Sequence, residues 1–501
     1  MQVVWFKKDL RTADHPALFE AAKKDSLLPL YIIETELWRQ PDMSSRHYQF
    51  LTECLLDLNK SFLRWGSSLV IKVGDSLSVL DQLNRKYRIE GLWSHQETGN
   101  GWTYNRDIQV RQWAIHHNIQ WHQKVQNGVI RGLKSRDGWA IRWMKFMKEP
   151  ILSAPHKISF INEPSDEIPP TKKLFPNDDL NLSLQKGGRS EGLKQLTNFL
   201  NNRGENYTRE MSSPVTAHHS CSRISPHLSF GTLSMREVFQ SCQKRSLEIK
   251  NIPLKERGRW PNALRSFSSR LRWHCHFMQK LEDQPSIEFK NLHPIYNGLR
   301  EENFNEGYFE AWKQGNTGYP MVDACMRSLK TTGWLNFRMR AMLISFSSYH
   351  LWLHWRKPAL HIANLFIDYE PGIHYSQVQM QSGTTGINSI RIYNPIKQSI
   401  DQDPNGLFIS KWIPELRNVP LPYIHTPWKY PEGIKQYPTP IVEEREARRY
   451  ASKKLYSLRK TPQHQAKARK IVQRHGSRKS NKNRGTSSSQ PSQPIQEELP
   501  L

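Results

Sequence analysis

The sequence predicts an α/β domain followed by a mainly α-helical one, and three observations carry that prediction. Up to about residue 130, short apolar runs alternate with amphipathic segments. From about 190 to 440 the apolar period is helical, with long segments at Asn262–Leu281, Pro320–Lys330 and Trp334–Arg356. Between these regions, from about 150 to 190, the chain turns to Pro, Asp, Asn, Ser and Lys, as in Glu163-Pro164-Ser165-Asp166-Glu167-Ile168-Pro169-Pro170. There the periodicity lapses, as it does in a connector. At 501 residues the chain also exceeds what one hydrophobic core usually supports.

In chain order, Val3–Phe6, Leu28–Ile33, Ser68–Val73, Gly91–Ser94 and Ile119–Val125 have the length and apolar content of buried strands. Ser45–Trp65, Ser76–Tyr87 and Thr103–His116 read as the helices between them, which makes a mostly parallel, Rossmann-like sheet. No Gly-x-Gly-x-x-Gly turn is present to cradle a pyrophosphate, which argues against an ordinary dinucleotide dehydrogenase. Residues 441–501 hold 15 Lys+Arg against 5 Asp+Glu, a net +10, with an Ala/Lys/Arg-rich helix candidate ahead of Gly485-Thr486-Ser487-Ser488-Ser489. The last two dozen residues are expected to be disordered. The division expected is therefore 1–130 α/β, 131–190 connector, 191–440 helical and 441–501 a basic, partly disordered extension.

With 72 Lys+Arg against 46 Asp+Glu, the formal charge of +26 favours a polyanionic partner, and nucleic acid better than a membrane. No apolar run approaches the length of a membrane span, and the chain opens on the strand-like Val3-Val4-Trp5-Phe6 rather than a signal peptide, so a cytoplasmic location is expected. Five cysteines without a C-x-x-C pair suggest neither a disulfide framework nor a metal site. Most of the 17 Trp are expected in the core.

Two stretches carry chemistry. In His219-Ser220-Cys221-Ser222-Arg223-Ile224-Ser225-Pro226-His227-Leu228-Ser229-Phe230-Gly231, Ser225-Pro226 is a helix start. Hydroxyls, Arg223 and a helix N-terminus then converge on one spot, which is how a pyrophosphate is held without a glycine loop, although an ordinary capped helix has the same signature. The second stretch contains Trp312, Gly318-Tyr319-Pro320-Met321-Val322-Asp323-Ala324, Thr332-Gly333-Trp334, Arg338-Met339-Arg340, Ile367-Asp368-Tyr369-Glu370-Pro371-Gly372 and Tyr393-Asn394-Pro395.

In order and spacing these residues resemble the flavin-binding half of the DNA photolyase and cryptochrome family, and the resemblance spans Val3 to about Arg449. It implies FAD as cofactor, with Tyr207, Cys221, Ser222, Arg223, Ile224, Ser225, Phe267, Arg340, Asp368, Tyr369, Glu370 and His374 around it. Arg340 and Asp368 match the family's ion pair against the flavin ring, and His374 falls where relatives keep the residue facing flavin N5, commonly Asn. Trp273 and Trp334 match walls of the pocket that takes a flipped-out lesion, and Arg270, Phe337 and Met380 stand at further DNA-contacting positions. The resemblance also implies an antenna chromophore, a folate or deazaflavin, held by the α/β domain. For it the loop His95-Gln96-Glu97-Thr98-Gly99-Asn100 is the candidate, with Glu97 otherwise read as a solvated acid.

The chain departs from the pattern at Arg270, where dimer-repairing relatives have Glu, at Phe337, where they have Asn, and at Met380, where they have Trp. The histidines of (6-4)-repairing relatives would align on Phe337 and Ala341. Of the family's three-tryptophan relay only Trp355 is kept, the other positions being Val378 and Glu302, so Tyr349, Trp352, Tyr369 and Tyr375 are the candidates for another route. The expected activity is light-driven repair of pyrimidine dimers in DNA by a monomer, with catalytic roles for Trp273, Trp334, Trp355 and His374. The alternative is a cryptochrome-type blue-light receptor, and a nonenzymatic DNA-binding flavoprotein is a third reading.

Overall fold

The structure is a computed structural model and describes residues 1–477 apart from 25, 157, 179–182 and 303. The low-complexity end from 478 onward, where disorder was expected from composition, lies outside the described residues.

Five strands, β1 (Gln2–Phe6), β2 (Leu27–Ile33), β3 (Val70–Val73), β4 (Gly91–His95) and β5 (Gln120–Lys124), pair in the order β3-β2-β1-β4-β5, and every pair is parallel. β1 and β2 are continuous apolar runs because helices cover both faces of the sheet, and every residue in them is buried. The helices Ser45–Leu63, Ser76–Tyr87 and Gly101–His116 lie where the periodicity predicts them. Asp75 and Asn100 cap the latter two by accepting the amides of Ser78 and Thr103.

The remainder is helical. The span from 131 to 190 includes a helix, Trp139–Lys148, whose Trp139, Trp143 and Met147 are buried against the helical half, with Trp143 edge-on to Phe239 at 5.3 Å. Trp260–Asp283 and Pro320–Thr332 are single helices, the second ended by Gly333 at φ +68°. The expected helix Trp334–Arg356 is not continuous. It runs from Phe337 to Ser345, widens into a π-turn over Phe346–His350, and breaks before Arg356–Leu365, with Trp352 at φ +53°. Ser347 contributes to the break by returning its hydroxyl to the Ile344 carbonyl at 3.1 Å, in competition with the helix ladder.

The domains meet at the C-terminal end of β1. Leu10 N donates to the Phe230 carbonyl at 3.2 Å and Arg11 Nη1 to that of Gly231 at 2.8 Å. This brings the 219–231 motif, the loop after β1 and the helix Pro371–Gln381 to one place.

Candidate active site

A cavity of about 370 Å³ opens in the helical half, within the size range of cofactor pockets. At its floor Arg340 and Asp368 form a two-pronged pair, Nη1–Oδ1 2.9 Å and Nη2–Oδ2 2.8 Å. Arg340 is itself fixed by its Nε donating to the Leu335 carbonyl at 2.7 Å and by lying 4.0 Å from the Phe366 ring centroid. Burial would push the Asp368 carboxyl up, but Arg340, the Ser225 hydroxyl and Arg223 outweigh it and hold the group below its ordinary value.

Arg223 lines the same cavity, near enough to Asp368 and Arg340 to feel both charges. Its backbone sits at φ +60°, a conformation costly for a side chain of this size, and Gln185 secures it by accepting from Nε at 3.4 Å and donating to its carbonyl at 2.7 Å. The guanidinium lies 4.1 Å from the Trp334 ring centroid, and burial pushes it down to about 10. Its Nη1 is buried without a protein partner, beside Ser222 and Ser225. A strained, buried cation with a spare donor and two neighbouring hydroxyls suits a diphosphate. Across the cavity, Glu370 also has a buried oxygen, Oε1, without a partner, and Lys8 Nζ reaches its Oε2 at 3.6 Å from the loop after β1. Burial raises Glu370, and Lys8 opposes that shift.

His374 donates from Nε2 to the Ala359 carbonyl at 2.9 Å, and burial pushes it down to about 4, so at neutral pH it is an uncharged imidazole with its lone pair at Nδ1. Gly372, two residues earlier, lets this helix press against Trp260–Asp283, since a Cβ there would lie 2.6 Å from Met278 Cα.

The structure brings Tyr207, Cys221, Ser222, Arg223, Ser225, Arg340, Asp368, Tyr369, Glu370 and His374 into this one cavity. Ile224 and Phe267 do not line it. They belong to the buried cluster behind, where Phe267 stands edge-on to Tyr207 at 6.2 Å and supports it. Trp273, Trp334, Arg270, Phe337 and Met380 form the rim, with Trp273 stacked on Phe277 at 5.7 Å and Phe337 exposed. Arg338, Arg391 and Tyr393 also line the cavity; Arg338 and Tyr393 stand in the sequence motif without a site role assigned to them, and the exposed Arg391 was not singled out.

Trp355, the one retained position of the relay, lies outside the cavity. It is fully buried, its Nε1 donating to Asn291 Oδ1 at 2.7 Å, because it packs in the helical core. An aromatic series nevertheless connects it to the cavity. The Tyr369 and Tyr375 rings lie 6.4 Å apart, those of Tyr375 and Trp355 another 6.4 Å, and His354 lies 5.4 Å beyond. Tyr349 and Trp352 belong to a separate cluster around Arg300 and Tyr296. If electrons travel the Tyr369–Tyr375–Trp355 series, Trp355→Phe is expected to lower the yield of flavin photoreduction severalfold in transient absorption. An unchanged yield would remove the series from consideration.

A second cavity, about 50 Å³, lies at the C-terminal ends of the strands between Lys7, Glu34, Glu97, Asn100, Arg106 and Tyr369. Glu97 is not the solvated acid expected. It is buried, 2.6 Å from Arg106 Nη2 and 3.4 Å from Lys7 Nζ, within an ion cluster that also holds Glu34 and Asp107. Opening this cluster is a condition for placing a ring system there, because the space is well below that of a chromophore pocket.

Beneath it Asp9, His15 and His95 form a buried trio whose proton arrangement fits hydrogen bonding rather than metal ligation. His15 Nδ1 accepts the Leu18 amide at 3.0 Å, so its Nε2 bears the proton that it donates to Asp9 Oδ2 at 3.1 Å, and His95 Nδ1 approaches the same oxygen at 2.6 Å.

Residues 2–132 match the family model described as DNA photolyase, and residues 267–457 match that described as the FAD binding domain of DNA photolyase. The chain belongs to the DNA photolyase and cryptochrome family and holds FAD in the helical half. It is 27% identical over 467 residues to the deoxyribodipyrimidine photo-lyase of Streptomyces griseus, covering 89% of this chain and 97% of the relative. To Cryptochrome-1 of Arabidopsis thaliana it is 28% identical, over 89% and 69% of the two chains. The crystal structure of an archaeal photolyase from Sulfolobus tokodaii, solved with two FAD molecules, superposes with a TM-score of 0.76 at 27% identity, covering 91% of this chain and all of the other. A class III photolyase from Agrobacterium tumefaciens shares the fold at a TM-score of 0.79 and 24% identity, with 92% and 98% covered.

Proposed function

We propose that the protein is a DNA photolyase, a carbon–carbon lyase that uses light and FAD to split pyrimidine dimers in DNA. The observation that carries this reading is the single cavity with a flavin-type ion pair at its floor and an aromatic, cationic rim at its mouth. Bound FAD supplies light absorption and one-electron exchange with the substrate. Arg340 and Asp368 orient the ring, Ser222, Arg223 and Ser225 hold the diphosphate, and His374 presents a neutral nitrogen lone pair. Trp273 and Trp334 offer ring faces to bases turned out of the duplex, while Arg270, Arg338 and Arg391 neutralise flanking phosphates. In this division of labour the region from 191 to 440 does the chemistry and the region from 1 to 130 carries any antenna chromophore. One chain completes the cavity, which supports action as a monomer, and the five free cysteines suit a reducing, cytoplasmic compartment. No described helix is long and apolar enough to cross a membrane.

Arg270, Phe337 and Met380 at the rim favour the second reading, a blue-light receptor with the same flavin pocket and no repair. The deciding experiment gives flavin-loaded, chemically reduced protein an oligonucleotide with one cyclobutane dimer or one (6-4) photoproduct under blue light. Conversion of either substrate is expected and names the lesion. No conversion of either, with a normal flavin spectrum, assigns the receptor.

A further inference from the structure

We infer that the C-terminal helical hairpin, Glu444–Arg459 and Pro462–His475, is a second nucleic-acid contact that grips the phosphate backbone beside the cavity mouth. The identity of the partner rests on the DNA reading above. The second helix lies wholly beyond the FAD-binding family model, which ends at residue 457, whereas the first falls inside it but for its last two residues.

Each helix buries one stripe. Ala451 and Leu455 in the first, and His464, Ile471 and His475 in the second, face the body of the protein. The outward faces carry Lys453, Lys454, Lys460, Lys467, Arg469 and Lys470, all exposed, and none is ion-paired with an acid among the described residues. A solvated helix would ordinarily intersperse acids with its cations, and here Glu446 is the one exposed acid within the two helices. A lipid surface fits less well, because the apolar stripe such a helix would insert is already spent on the body.

The hairpin is also tied to the body of the protein at two points, the first of them beside the cavity. Arg459 Nη2 donates to the Asn388 carbonyl at 2.6 Å, and Ile390 and Ile392 pack with Leu455 and Leu458, while Arg391 and Tyr393, alternating with them, line the cavity. At its far end Arg474 donates to the Asp283 carbonyl and His475 meets Gln284 Oε1 at 2.9 Å, at the end of the helix that carries Arg270 and Trp273. From Asn388 to Arg391 the chain spans at most about 11 Å. A strand leaving the rim at Arg391 therefore reaches the hairpin within about three phosphates, at roughly 3.4 Å of duplex axis each.

The test uses full-length, flavin-loaded protein and undamaged duplex, with affinity measured across a salt series. For K453Q/K454Q/K467Q/K470Q, the slope of log Kd against log salt is expected to fall by about 3.6, with roughly tenfold or greater loss of affinity at moderate salt. Flavin content and turnover at saturating DNA are expected to be unchanged. A second variant, R445Q/R449Q, which changes two further exposed cations of the first helix, is expected to shift the slope in the same direction by about 2, and decides the matter if the first retains no flavin. An unchanged slope and affinity overturns the inference. So does an unchanged slope accompanied by lost binding to phosphatidylserine vesicles, which would assign the face to lipid. Because the readout is undamaged duplex, failure to repair any lesion would refute the photolyase reading without touching this one.

Discussion

Arg340→Ala is expected to purify without FAD. The substitution leaves Asp368 buried with its main partner gone, and removing one side of such a pair costs about 3–5 kcal/mol. The lower end applies, because the Arg340 side chain is 25% exposed and water can partly replace it. That cost falls on the fold, and flavin affinity falls in addition, by roughly tenfold for each ~1.4 kcal/mol of ring contact that Arg340 supplies. Arg340→Lys is expected to retain part of the affinity, since an ammonium keeps the charge but cannot grip both carboxylate oxygens. Flavin absorbance of the purified protein, with circular dichroism to show that the fold persists, is the measurement. Full flavin occupancy in Arg340→Ala would refute the assigned pocket.

Gly231→Ala is expected to be the most destabilising single-methyl change in the site. Gly231 sits at φ +65°, and a Cβ there would overlap the Lys8 carbonyl oxygen and lie 2.6 Å from Asp9 Cα. Backbone cannot rotate away as a side chain tip can, so conformational strain adds to overpacking, for roughly 3–5 kcal/mol together. The thermal midpoint is expected to fall by roughly 5–10 °C, and flavin retention to suffer, because the loop that brings Lys8 to Glu370 is the one displaced. Gly298→Ala is the control. It has φ +76° and nothing within 4 Å, so it bears the backbone strain alone. A Gly231→Ala protein no less stable than Gly298→Ala would show that the domain contact yields easily.

The parts legible in the sequence are those whose cause is local. β1 and β2 are buried on both faces and so read as unbroken apolar runs, and the caps of the sheet-covering helices are spelled by Asp75 and Asn100. The flavin residues converge because their spacing matches a known pattern, not because the residues announce it: Arg340 and Asp368 alone would be taken for two solvated charges. What was illegible depends on distant elements meeting. Gln185 supports Arg223 from the connector, and Lys8 reaches Glu370 from the other domain. Glu97 was read as solvated because its neighbours in sequence supply no cation, whereas Lys7 and Arg106 arrive from β1's loop and the next helix. Trp334–Arg356 looked like one helix because periodicity does not register a serine turning its hydroxyl back on the ladder.

Tyr369 lines both cavities, and its hydroxyl donates to Asp42 Oδ2 at 2.6 Å and stands 3.3 Å from the Tyr375 hydroxyl. The partition between the flavin chamber and the strand-end chamber is thus one phenol thick, and it is a partition wired with hydrogen bonds. Asp42 in turn accepts from Asn100, in the loop that borders the strand-end chamber. Asn100, Asp42, Tyr369 and Tyr375 thus form one hydrogen-bonded series that runs from the strand-end chamber to the wall of the flavin chamber. The two halves of the molecule share an electrical boundary as well as a mechanical one.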